Sequence, residues 1–160
     1  MSEEERYTLE EAHREFGKRT NGRVWNLLAK PDRTAADDEE MVLNAYASHY
    51  HWLQIGTEVN QQRGEWLIAH VYTLQGKADL ALGHAERCLQ ITEAHRDQMA
   101  DFDIAYGYEG IARAKALAGK QEEAAKYREM ARSAGEAIDD SEDKEIFMGD
   151  WNSGPWFDLS

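Results

Sequence analysis

The chain has 160 residues, of which 31 are acidic and 18 are basic, and its formal net charge is -13 at pH 7. Nucleic acids and anionic membranes attract clustered Lys and Arg, so this composition excludes both as partners through bulk electrostatics. The only cysteine, Cys88, excludes an intrachain disulfide. No stretch approaches the roughly 18 uninterrupted apolar residues of a membrane helix. We expect one cytoplasmic domain over residues 1–160.

Two helices are predicted in the first third of the chain. Thr8 precedes Glu11 by three residues, and Thr34 precedes Asp37 in the same way, which is the spacing of an N-terminal capping pattern. The second helix is predicted to run to about Ile55. The apolar residues at helical spacing on its inward face are Met41, Val42, Ala45, Tyr46, His49, Trp52 and Leu53.

Four further helices are predicted after short breaks. Their ranges are 60–75, 78–96, 101 or 103 to 118, and 121–138. Gly76 and Gly119 end the third and fifth helices, because glycine adopts the left-handed backbone conformation that commonly terminates a helix. The sequence has no segment with the alternating pattern of a strand, so it predicts an all-α fold.

These four helices contain an internal repeat. Residues 65–91 align with residues 108–134 at an offset of 43, and several matches fall where two helices approach closely. The matched pairs are Ile68 and Ile111, Ala69 and Ala112, Leu74 and Leu117, Gly76 and Gly119, Lys77 and Lys120, Ala81 and Ala124, and Glu86 and Glu129.

The repeated pattern resembles the tetratricopeptide repeat, a hairpin of two antiparallel helices. The two copies read Glu65-x-x-Ile68-Ala69-x-x-Tyr72 with Ala81 following, and Tyr108-x-x-Ile111-Ala112-x-x-Lys115 with Ala124 following. The resemblance covers about residues 60–138. Its offset is longer than the usual repeat of about 34 residues, and neither copy has the closing proline.

The resemblance implies three stacked antiparallel helix hairpins closed by a capping tail. The hairpins would occupy residues 8–56, a degenerate copy, and residues 60–97 and 101–138, with the tail at 139–160. A short helix, begun by Asp140 or Ser141, would run to about Met148. We expect the tail to dock on the last hairpin with Trp151 or Trp156 largely buried, using the aromatic residues Phe147, Trp151, Trp156 and Phe157.

Proteins of this kind typically hold a peptide in a groove formed by the first helix of each hairpin. The matching groove positions are Arg63, Trp66, His70 and Thr73 in the third helix and Tyr106, Glu109 and Arg113 in the fifth. Paired donors from two arginines suit an acidic group, and the aromatic rings suit an apolar neighbour of that group. The sequence therefore favours a protein-interaction module with a protein or peptide partner.

Three alternatives remain open. In the packing alternative, Trp66 and Tyr106 belong to the core, Arg63 and Arg113 pair with Glu65, Glu109 or Asp103, and no groove is used. A pocket for a small ligand or an enzymatic reaction would form between the second, third and fifth helices, where the candidate residues are His49, Trp66, Tyr106 and Arg113. A homodimer would bury the same faces or the aromatic tail.

The sequence contains no recognised catalytic motif, so we expect neither an enzyme nor a bound cofactor or metal ion. His84 and Cys88 are four residues apart, a spacing that can place an imidazole beside a thiol. Cys88 also shares an apolar stripe, which favours a buried and unreactive side chain. His49 is likewise expected to be a buried histidine with a hydrogen-bond partner.

Overall fold

The computed structural model describes residues 4–159, which form seven α-helices, one 3-10 turn at Arg96–Gln98 and no strand. The α-helices are α1 Leu9–Leu28, α2 Ala35–Ile55, α3 Glu58–Leu74, α4 Ala78–Ala94, α5 Asp101–Leu117, α6 Gln121–Glu136 and α7 Ser141–Asn152. The predicted all-α fold is confirmed, and consecutive helices pack in hairpin-like pairs. No helix in the described part of the chain is long and apolar enough to cross a membrane.

Side-chain caps set the starts of several helices. The Thr8 hydroxyl accepts a hydrogen bond from the Glu11 amide, and Thr34 and Asp37 form the reciprocal pair of a capping box. A similar box joins Thr57 to Asn60, whose side-chain oxygen accepts from the Thr57 amide at 3.1 Å. That second box explains why α3 begins two residues before the predicted start at residue 60.

The hairpins α3/α4 and α5/α6 have matching turns. Gly76 and Gly119 have φ angles of 74° and 77°, the left-handed conformation that side-chain-bearing residues rarely adopt. Ala81 and Ala124, five residues later, are fully buried. The repeat deduced from the sequence therefore corresponds to two hairpins of the same construction, compatible with a helical repeat fold.

The odd-numbered helices share one surface, here called the inner face. Helix α3 packs against α5 as well as against its partner α4, and α7 packs against α5 and α6. Trp25 of α1 stacks on Trp66 of α3, with ring centroids 6.1 Å apart. Thus α1, α3, α5 and α7 present side chains to a common region.

The core has two regions joined through α5. The larger one lies among α1 to α5 and contains Val24, Leu27, Met41, Ala45, Ile68, Val71 and Ile111. The second lies among α5, α6 and α7 and contains Ala105, Tyr108, Ala131, Ile138 and Phe147. Many core positions are alanines, which allow neighbouring helices to approach closely.

The predicted inward face of α2 is wrong in part. The residues of α2 that are buried are Met41, Ala45 and Ser48. Leu53 instead points outward, with 47% of its surface exposed, and Tyr46 is 39% exposed although its hydroxyl lies 2.8 Å from His84 Nε2. Leu43 and Tyr50 continue the same exposed line. The inward stripe is narrow because small residues at its centre bring α1 and α3 close to α2.

The tail docks on the last hairpin, as predicted. Phe147 is fully buried and Trp156 is 9% exposed. The Trp151 indole nitrogen donates to the Arg128 carbonyl at 3.1 Å. Asp140 caps α7 by accepting from the Asp143 amide, and the helix extends four residues beyond the predicted end at Met148.

Candidate functional site

The inner face contains a cavity of about 420 Å³ that is open to solvent. Its lining residues come from α1, α3, α5 and α7 and are Asn21, Trp25, Gln62, Arg63, Trp66, Leu67, Phe102, Asp103, Tyr106, Ile146 and Asp150. Trp25 and Ile146 lie at its edge, with 45% and 56% of their surfaces exposed. The walls are therefore mainly aromatic and aliphatic, with polar groups at a few points.

Trp66 is the centre of the aromatic wall. Its ring stacks on His70 with centroids 4.7 Å apart and meets the edge of Tyr106 at 5.3 Å. The indole nitrogen donates to a Glu109 carboxylate oxygen at 3.0 Å. Because these contacts come from two helices, the orientation of the Trp66 ring is set before any ligand binds.

Arg63 and Asp103 form an ion pair across α3 and α5. The guanidinium donates from Nε and Nη2 to the two carboxylate oxygens at 2.8 and 3.0 Å. It also lies over the Phe102 ring, 5.3 Å from the centroid. The carboxylate of Asp103 is buried and caps α5 through the Ala100 amide. The Arg63 side chain is half exposed, but two of its guanidinium nitrogens already donate to the Asp103 carboxylate.

Arg113 is buried behind the cavity, with 4% of its surface exposed. Its Nε donates to Glu109 Oε1 at 2.6 Å. The remaining guanidinium nitrogens donate to tail carbonyls of Asp150, Ser153 and Pro155 at 2.7, 3.1 and 2.9 Å. Burial raises the pKa of the Glu109 carboxyl, although Arg113 and Trp66 oppose that change.

The expectation that both arginines offer paired donors to an acidic ligand is therefore wrong. Arg63 pairs with Asp103 and Arg113 pairs with Glu109, as the packing alternative predicted. In physical terms, a buried guanidinium must be neutralised and hydrogen-bonded within the fold. The tail supplies most of the acceptors for Arg113, and the sequence pattern of α5 does not contain them.

The structure places the seven predicted groove residues in three settings. Arg63, Trp66 and Tyr106 line the cavity, and His70 lines a smaller pocket of about 220 Å³ beside it. Glu109 and Arg113 are buried at the base of that pocket. Thr73 lies outside the site, because its side chain is buried and its hydroxyl donates to the Ala69 carbonyl at 2.8 Å.

Several lining residues were not predicted. Trp25 belongs to the degenerate first hairpin, which has no alignable copy to indicate its inward positions. Ile146 and Asp150 belong to α7, which lies outside the repeats. Phe102 lies in the first turn of α5, where the sequence pattern indicated a helix start, whereas Asp103 beside it was already a possible partner for the arginines. Aromatic residues alone do not separate these positions from the rest, because α2 and α6 contain aromatic residues as well.

The pocket proposed between the second, third and fifth helices is corrected by this geometry. The helices that line the cavity with α3 and α5 are α1 and α7, and α2 contributes no lining residue. His49 lies on α2 and packs against Gly64 of α3. Its Nε2 is 3.4 Å from Glu65 Oε1. His49 therefore does not converge with Trp66, Tyr106 and Arg113.

A buried polar chain surrounds Glu65 on the opposite side of α3. His84 Nδ1 lies 2.6 Å from Glu65 Oε2, and His84 Nε2 lies 2.8 Å from the Tyr46 hydroxyl. Burial alone would raise the pKa of Glu65, but the bonds to His49 and His84 outweigh burial and hold it at about 2. This cluster gives Glu65 and His84 their hydrogen-bond partners between α2, α3 and α4, whereas the buried His49 Nδ1 has no hydrogen-bond partner among the described residues.

Cys88 is not activated by His84. The imidazole of His84 is held between Glu65 and Tyr46, and the Cys88 thiol is buried. Burial raises the pKa of that thiol, which disfavours the reactive thiolate. Within residues 4–159 there is also no group of three or more His, Cys, Asp or Glu side chains placed to hold a metal ion.

Comparison with known proteins adds no relative to this description. No protein-family model matches the chain, and no curated protein or solved structure matches it.

Proposed function

We propose that the protein is an interaction module that holds a partner polypeptide segment in the cavity on the inner face. The observation that carries the proposal is the aromatic cavity of about 420 Å³, open to solvent between α1, α3, α5 and α7. Large aromatic side chains supply much of the energy of protein recognition because they bury a large area at a low cost in conformational entropy. The repeat pattern supports assigning the hairpins to a tetratricopeptide-like class.

Preorganisation supports the same proposal. Trp66 is oriented by Glu109, and Tyr106 donates to Asp150 at 2.5 Å. Arg113 fixes the segment that follows α7 through three backbone carbonyls. A partner segment would therefore bind to walls that are already formed, which reduces the entropy lost on binding.

The test is selection of random nine-residue peptides displayed on phage, with binding measured on the Trp25→Ala variant. Trp25 is 45% exposed, so its removal leaves the fold intact while it deletes one wall of the cavity. We expect selected peptides to lose about tenfold or more in affinity for this variant. Tyr50→Ala is the matched control, because Tyr50 is an exposed aromatic residue on α2. Equal binding to wild type and Trp25→Ala contradicts the proposal.

A small ligand is the second candidate occupant. The cavity volume of about 420 Å³ favours it, because small-molecule sites commonly measure roughly 300–1,000 Å³. A fragment screen by thermal shift distinguishes the two candidates. A small ligand would be favoured by two results together. Fragments would raise the melting temperature of the wild type but not of Trp25→Ala, and the phage selection would yield no binding peptide.

Self-association stays a prediction. The surfaces that the sequence indicated for a second copy are the inner face and the aromatic tail, and the inner face is the one left open because Phe147 and Trp156 are already buried within the chain. Light scattering over a concentration series tests it, since a dimer would show a mass twice that of the 18.3 kDa chain.

A further inference from the structure

We propose that the cavity selects an arginine side chain in its partner segment. This inference rests on the proposed function and names the residue that the cavity holds. It reverses the expectation of an acidic ligand, because the arginines of the site are already paired.

Among the charged groups described around the cavity, the carboxylate of Asp150 is the one that has no basic partner. Arg63 and Asp103 neutralise each other, and Arg113 and Glu109 do the same at the base of the neighbouring pocket. Asp150 is exposed on the cavity wall and accepts a hydrogen bond from the Tyr106 hydroxyl. Among the described residues, no basic side chain forms an ion pair with Asp150. The site therefore has a net negative charge where a ligand enters.

The aromatic rings around this carboxylate also attract cations. Trp25, Trp66 and Tyr106 line the cavity together with Asp150, and the π-face of an aromatic ring carries partial negative charge. The protein already uses this contact with its own arginines. Arg63 lies over Phe102, and Arg113 lies 4.0 Å from the centroid of Trp156.

Size and shape favour arginine over a compact cation. An arginine has an apolar stem and a planar head, so the stem can contact Leu67 and Ile146 while the guanidinium stacks on a ring. Its fork of donors can bind both oxygens of a carboxylate such as Asp150. The net charge of -13 attracts basic segments toward the whole surface.

The first experiment uses five phage-displayed libraries of nine-residue peptides whose central residue is Arg, Lys, Gln, Glu or Leu. Wild-type protein and Trp25→Ala are screened in parallel. We expect the strongest Trp25-dependent enrichment with Arg at the centre. Trp25-dependent enrichment led by Lys, Gln, Glu or Leu overturns the arginine inference but leaves the proposed function standing. If no library shows Trp25-dependent enrichment, the proposed function fails as well.

The second experiment measures charge directly on the best arginine peptide by titration calorimetry. Replacing arginine with citrulline removes the charge and keeps the shape, and we expect a loss of about five- to tenfold in affinity. Asp150→Asn should produce a similar loss, because asparagine still accepts from Tyr106 but is neutral. Glu145→Gln is the matched control, since it removes one exposed charge from α7 outside the cavity. Equal affinity of the arginine and citrulline peptides overturns the inference.

Discussion

His70 is a histidine kept neutral by its surroundings. Its ring stacks on Trp66 and lies near Trp25, at the smaller pocket of the inner face. Burial lowers its pKa from 6.5 to about 4, and the nearby positive charge of Arg113 adds to that effect. The folded protein therefore resists protonation at this ring, whereas the unfolded chain does not.

This difference predicts a pH dependence of stability with a definite sign. Because the folded-state pKa is the lower one, the stabilising effect of a neutral His70 is complete above pH 6.5 and is lost as the pH falls toward 4. We expect the free energy of unfolding to be about 1–2 kcal/mol lower at pH 5 than at pH 7 through this residue. Urea unfolding at both pH values measures the difference.

The variant His70→Gln should show a smaller difference between the two pH values, because glutamine does not titrate. His95→Gln, in the loop after α4, is the matched control and should keep the wild-type difference. A His70→Gln variant with an unchanged pH dependence would assign the effect to other groups.

At the scale of elements, α7 is held by a close approach to α6. Phe147 packs against Gly135 so closely that a Cβ at that glycine would overlap the phenyl ring. This contact joins the tail to the last hairpin in the second core region. Glycine at position 135 is therefore required for packing, and the helical backbone there does not demand it.

Two glycine substitutions separate packing from helix propensity. Gly135→Ala should lower the free energy of unfolding by about 1–3 kcal/mol, because Phe147 must move. Gly149→Ala should raise it by about 0.5–1 kcal/mol, since no described atom lies within 4 Å of its Cβ position and alanine favours a helix. Thermal unfolding of both variants measures the contrast. Stabilisation by Gly135→Ala would show that the tail is loosely packed.

Sequence reasoning succeeded where a local rule sets the structure. The start of α2 was predicted from Thr34, and the ends of α3 and α5 were predicted from Gly76 and Gly119. Capping and left-handed turns depend on only a few neighbouring residues, so the sequence is enough to locate them. It failed for the outward side of α2, because apolar spacing alone does not show which side a narrow core occupies. It also missed the role of Arg113, whose carbonyl acceptors lie 37 to 42 residues away.

At the scale of the whole molecule, Arg113 connects the repeat to the tail. The guanidinium donates to Glu109 on its own helix and to three backbone carbonyls, one in the last turn of α7 and two in the segment that follows it. It also lies over the Trp156 ring. One side chain therefore positions the wall of the cavity that carries Asp150.

Replacing this residue should destabilise the protein and release the tail together. We expect Arg113→Met to lower the free energy of unfolding by about 3–5 kcal/mol, because Glu109 is left buried without its partner. Arg132→Met is the matched control, an arginine that also pairs with glutamates on its own helix but lies at the surface, and its cost should stay below about 1 kcal/mol. Urea unfolding gives both values, and amide hydrogen exchange reports tail release. A stable variant with protected tail amides would contradict the role assigned to Arg113.

The offset of 43 has a further consequence at the inner face. Positions 66 and 109 are equivalent in the two copies, yet one carries tryptophan and the other carries the glutamate that accepts its indole hydrogen bond at 3.0 Å. Positions 70 and 113 are likewise equivalent and carry histidine and arginine. The copies thus act as complementary halves. An engineered array that repeats a single copy would place tryptophan beside tryptophan, or glutamate beside glutamate, at these equivalent positions. The hydrogen bond between indole and carboxylate would be kept only in an array that alternates the two copies.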